Sequence, residues 1–214
     1  MTFRSWIHAS MAALIAISGT TLSLATHAAD EKAKGDTAEK SNKKDAQKPE
    51  ETVTTEIGGL ELKLPKSWIQ SDAALPMRLA TFEVPAAEGD KDKGEFVLSS
   101  FPGGGGGVDA NIGRWIGQFN AEGRKAEVRQ GTAEKNEYFI ANISGTYLKP
   151  DGPLILRKTK EAAGYRMASV ILNVEGKAVY FLKLTGPDAT VTAQLDALRA
   201  SFGAKLDDEN EYEF

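Results

Sequence analysis

Five consecutive glycines occupy positions 103–107, directly before a segment of helical periodicity. Backbone amides free of side chains at a helix N-terminus can cradle an anion. No Lys-Ser or Lys-Thr follows the run, so it is not a Walker-type phosphate loop. It also does not sit in a strand-helix-strand unit of the dinucleotide-binding kind. Its plain alternative is a flexible crossover from the strand ending at Phe101. Just inside the helix, Asn111, Arg114 and Gln118 make a polar strip beside Trp115. Arg and Trp are common anchors in recognition. Together with Gly105, Gly106 and Gly107 they are the candidate ligand-binding residues. The same strip can instead seat the helix by hydrogen-bonding to neighbouring loops.

Catalytic chemistry finds less to work with. The chain has no cysteine, and its two histidines are His8 and His27. Both fall in a segment that reads as an export signal: Arg4, an apolar stretch over 9–25, then small residues at Thr26, Ala28 and Ala29. Cleavage after Ala28 or Ala29 removes both imidazoles. The remainder can build neither a Ser-His-Asp nor a Cys-His site, and it lacks the usual zinc, copper or haem ligands. Carboxylate pairs, a Ser-Lys pair or calcium are what is left. Ser99-Ser100 has no evident base beside it. The acidic cluster at Asp207, Asp208, Glu209, Glu211 and Glu213 lacks the fixed turns and glycine of a calcium loop. No metal site and no cofactor are expected.

Losing Arg4 with the leader takes the formal charge from −4 to about −5. A mildly acidic domain has no electrostatic affinity for nucleic acid or anionic membrane. The expected setting is periplasmic or extracellular, with no membrane span once the signal is removed.

These residues must be positioned by elements that the hydrophobic pattern outlines. Residues 30–52 carry mixed charge with alanine as the one apolar type and read as a disordered linker. One folded domain is expected over 53–206, followed by a loose acidic tail, 207–214. Leu60, Leu62 and Leu64 alternate with Glu61 and Lys63, the period of a half-buried strand, and Gly58-Gly59 turns the chain before it. Trp68 should pack as a lid on the sheet. Further strands are expected over 77–84, 95–101, 126–133, 137–148, 165–174 and 178–185, with an exposed loop over 86–94.

A helix over 108–122 would bury Val108, Ile112, Trp115, Ile116 and Phe119 on one arc. Its other face is small: Ala110, Gly113, Gly117 and Ala121. Two mid-helix glycines, at about 1 kcal/mol each, suggest that this face is covered. A last helix, opened by Pro187-Asp188, would carry the stripe Val191, Leu195, Leu198 and Phe202. Hairpin connections imply a mostly antiparallel sheet, flanked by the two amphipathic helices. The class is α+β.

The stretch GGGGGVDANIGRWIGQF, with the later YFLKLTGPDATV, resembles a pattern in exported proteins of planctomycete-type bacteria: a Gly run, Asn, Arg-Trp and Gln-Phe. That resemblance spans about 53–203 and implies no activity. The element order and the segment LKLPKSW resemble the PsbP-like fold, an α/β/α sandwich used mostly for binding and assembly. It implies no functional residue here. The expected function is a non-catalytic binding or accessory module of the cell envelope, its partner an envelope protein or small ligand. The rivals are a hydrolase or lyase using carboxylates or a Ser-Lys pair, and a structural component without a ligand.

Overall fold

Two glycines with positive φ, Gly58 at 59° and Gly59 at 83°, supply the two-residue turn that a tight hairpin needs. They join β1 (Thr52–Ile57) to β2 (Leu60–Pro65) in antiparallel register, Ile57 opposite Leu60. The leucines of β2 are buried while Glu61 and Lys63 stay exposed, as their alternation requires. This computed structural model describes residues 50–72, 77–152, 156 and 158–214, all within one unit, 47–214. The expected leader and nearly all of the expected linker lie outside the described residues.

The other strands are β3 (Ile69–Gln70), β4 (Ala80–Val84), β5 (Gly94–Ser100), β6 (Lys125–Ala133), β7 (Asn136–Pro150), β8 (Thr159–Asn173), β9 (Val179–Pro187) and β10 (Asn210–Glu211). They form one antiparallel sheet in the order β10-β6-β7-β8-β9-β5-β4-β3. Among the described residues there are three short α-helices rather than two: α1 (Val108–Ile116), α2 (Asp188–Ala193) and α3 (Leu195–Ser201). None is long and apolar enough to cross a membrane.

Side chains alternate across the sheet and sort into two cores. Tyr138, Ile140, Val170, Leu182, Leu98 and Phe82 meet the hairpin leucines, Trp68, Val191 and Leu198 on one face, here called the closed face. Phe139, Ile143, Met167, Ile171 and Phe181 meet Ile112, Trp115 and Phe119 on the other. That second core gathers residues of β6, β7, β8 and β9 and none of β4 or β5. The half of this face running toward β4 therefore carries mainly polar residues, Thr81, Glu83, Glu95, Lys183 and Thr185 among them.

Several expectations need correction. The strand expected from Met77 starts at Ala80, because Met77 takes a φ of 65° and leaves the extended region. The first helix stops at Ile116, not at 122. Beyond Gly117, Leu148 N–H donates to Gln118 O at 2.8 Å and Asn120 N–H to Thr146 O at 2.9 Å. Sheet-type pairing with β7 thus outcompetes two more helical turns. The small-residue face of α1 is not covered: Ala110, Gly113, Gly117 and Ala121 are all exposed. A Cβ at Gly113 would meet nothing within 4 Å. The last helix is interrupted at Gln194, whose ψ of 2° is non-helical. Its side-chain oxygen accepts from the Trp68 indole N–H at 3.1 Å.

The acidic tail is not loose. The carboxylate of Glu209 is fully buried and accepts two hydrogen bonds from Arg199, at 2.7 and 3.0 Å, and one from Tyr138 at 3.1 Å. Residues 210–211 then pair with β6. Tyr212 stacks edge-on against Phe139 and donates to Asp109 of α1 at 2.8 Å. A run of charge looks solvated in sequence, yet one of its members is the partner of a buried arginine.

Candidate functional site

The glycine loop is held by the helix that follows it. Asn111 is buried, and its side-chain amide donates to Gly107 O at 2.9 Å and Gly105 O at 3.2 Å, with Gly106 O at 3.4 Å. Arg114 donates to Gly105 O at 3.2 Å and also to the Asn111 side-chain oxygen. The loop carbonyls therefore turn inward onto two helix side chains. At Gly105 a Cβ would stand 2.8 Å from the Phe181 ring, with φ at 69°, so glycine is required for close approach as well as for conformation. Trp115 is buried edge-on to Phe181, ring centroids 6.4 Å apart. Six of the seven candidate residues thus form one interlocked corner.

The seventh, Gln118, leads elsewhere. Its side-chain oxygen accepts a hydrogen bond of 2.9 Å from the ammonium of Lys183, on β9. Lys183 is half-buried, with its nitrogen 5.7 Å from the centre of the Tyr147 ring. Residues of one sheet face cluster around it. Ser169 of β8 stands directly opposite, Val97 of β5 stands on the other side, and Thr185 lies two residues along β9. Glu95 completes the group but is engaged by Arg78, at 3.1 Å, and Arg78 also donates to Thr81 at 3.3 Å.

Two features set this cluster apart. The hydroxyl oxygens of Ser169 and Thr185 are buried and have no hydrogen-bond partner among the described residues. Each such group costs about 1–3 kcal/mol, so a native sheet that keeps two of them beside a lysine calls for a reason. The second feature is electrostatic. Burial pushes the Lys183 pKa down to about 8, Arg78 pushes the same way, and Glu95 opposes them. Burial, with Glu95 nearby, also raises the pKa of the Tyr147 hydroxyl.

A Ser-Lys pair is therefore present in register, at Ser169 and Lys183, where the sequence offered only Ser99 and Ser100. No hydrogen bond joins its members, and the serine hydroxyl is covered. Ser100 donates to Val179 O at 3.0 Å. Two wide surface grooves lie elsewhere, one along Gly103, Gly104 and the β8–β9 turn, the other between the β1–β2 hairpin and α2–α3. Neither is lined by the buried unpaired hydroxyls. Sequence reasoning missed Lys183, although a signal existed. It is the one charged residue within the apolar run YFLKL, on a strand with neighbours on both sides.

No family model matches the chain, and no curated protein matches it. Among solved structures it is similar to the solution structure of cyanobacterial PsbP (CyanoP) from Synechocystis sp. PCC 6803. There the identity is 13%, over 78% of this chain and 96% of that one, with a TM-score of 0.41. It is also similar to the crystal structure of PA94, a protein of unknown function from Pseudomonas aeruginosa, at 14% identity. That match covers 70% of this chain and 92% of the other, with a TM-score of 0.39. The likeness to PsbP is a loose one of fold.

Proposed function

We propose that the chain is an exported, non-catalytic binding module of the cell envelope, with the layers of a PsbP-like α/β/α sandwich. Its ligand carries a small anionic group, a carboxylate, engaged at Lys183 on the open half of the second face. The observation that carries this reading is the half-buried ammonium beside two buried, unpaired hydroxyls. An ammonium offers three donors, and Gln118 takes one of them. Arg78 adds positive charge to the same patch, while its pairing with Glu95 keeps that carboxylate from capturing the lysine. The glycine corner serves as the mount for α1, which presents Gln118 to the site.

Titration of the purified chain with succinate, followed by amide NMR, tests the reading. Shifts should concentrate at Gln118, Ser169, Lys183 and Thr185 and vanish in Lys183→Met. Inorganic phosphate should shift them less, since the site offers one free cation rather than a phosphate clamp. Shifts confined to the 103–107 loop would move the site to the glycine corner and sink the assignment to Lys183.

A further inference from the structure

The lysines for which an ion pair is seen, Lys66 and Lys93, sit at the surface against Glu51 and Glu83. Lys183 has a different environment. Its hydrogen bond goes to a neutral amide oxygen, its nitrogen lies over an aromatic ring, and the nearby carboxylate is held by Arg78. A half-buried ammonium with no carboxylate partner among the described residues is poorly compensated, and shedding its proton relieves that cost. The resulting neutral amine is a nucleophile.

We infer that Lys183 is a carbonyl-capturing amine: it forms an imine with small aldehydes or 2-oxo acids that reach the open half of the face. The inference rests on the binding site proposed above and adds a covalent step to it. The nitrogen lone pair attacks the carbonyl carbon, a C–N bond forms and the C=O π bond opens to a carbinolamine. Loss of the hydroxyl as water, with the second nitrogen proton, leaves the C=N bond. One amine and one carbonyl compound become one imine and one water, and no oxidant or reductant takes part. A 2-oxo acid suits the site because its carboxylate can pair with the positive charge of Arg78 while its ketone meets Lys183.

The groups facing the nitrogen set the pH at which this occurs. Glu95 on β5 favours the ammonium, and Arg78, before β4, favours the amine. Tyr147 on β7 stays protonated, and Ser169 on β8 and Gln118 on α1 are uncharged. Burial is the largest influence and lowers the pKa to about 8, so capture should rise across that pH and level off above it.

The test uses the purified chain, glyoxylate as probe and borohydride to reduce the imine to a stable secondary amine, followed by peptide mass spectrometry. At pH 7.5 Lys183 should be modified about tenfold faster than the exposed Lys63 and Lys160, because more of it is neutral. Lys183→Arg should abolish modification at this position while leaving that of Lys63 and Lys160 unchanged. Modification of Lys183 no faster than that of Lys63 and Lys160 overturns the inference. If succinate shifts the NMR spectrum but Lys183 stays unlabelled, capture fails and the binding reading stands. Labelling without any succinate response supports capture and overturns carboxylate binding.

Discussion

The two faces of the sheet use the same strands differently. On the closed face, every strand from β4 to β9 gives side chains to one continuous core, roofed by the β1–β2 hairpin, α2 and α3. On the other face, α1 and the chain after it cover the β6 to β9 side and stop short of β4 and β5. The strands are shared, so the contrast comes from what is laid over them. Where the roof is complete, every buried side-chain polar atom among the described residues has a hydrogen-bond partner. Where it ends, a lysine and two unsatisfied hydroxyls remain. A sheet needs one well-packed face to be stable, and the second can then carry groups that stability alone would not select.

This contrast can be attacked first at its strongest point. Glu209→Ala should leave Arg199 buried without a partner and cost about 3–5 kcal/mol in urea unfolding. A loss below 1 kcal/mol would mean that the tail is peripheral after all. Matched valines come next. Val84→Ala on the closed face should cost about 2–3 kcal/mol, and Val97→Ala at the edge of the open half about half as much, since its surroundings can collapse. Equal costs would remove the distinction between the faces.

Lys183 supplies a pH signature. Its folded pKa lies below the unfolded value of about 10.4, so between pH 8 and 10 the unfolded chain binds more protons. Stability should therefore rise with pH across that window, and Lys183→Met should flatten the rise. Ser169→Ala removes a buried hydroxyl that has no partner, and a gain of about 1 kcal/mol is expected. A loss of that size would show that the hydroxyl is satisfied in solution. The smallest effect belongs to Gly113→Ala, an exposed helical site with room for a methyl group. It should stabilise by up to about 1 kcal/mol in thermal unfolding. A clear loss would indicate that a partner packs closely on that face.

Much of the fold was legible because its signals are local. The alternation over Leu60 to Leu64, the Gly58-Gly59 turn and the arc of Ile112, Trp115 and Phe119 each report burial within a few residues. The ends of elements were less legible. The tail was misread for the same reason as α1. Nothing near Glu209 announces Arg199, and nothing near Gln118 announces Leu148. The glycine corner shows the limit most clearly. Its residue types suited an anion site, but Asn111 and Arg114 spend hydrogen bonds on the loop itself.

The amino-acid order alone determined the α+β class, the antiparallel pairing by short turns and the inward side of each strand, since these follow from period, turn chemistry and hydrophobicity. Only the tertiary structure decided which face would be roofed completely and which polar residues would meet. Ser169, Lys183 and Gln118 are drawn together from β8, β9 and the end of α1. The neighbourhood that perturbs Lys183 is set by cross-strand register, a relation between segments distant in the chain that no local pattern encodes.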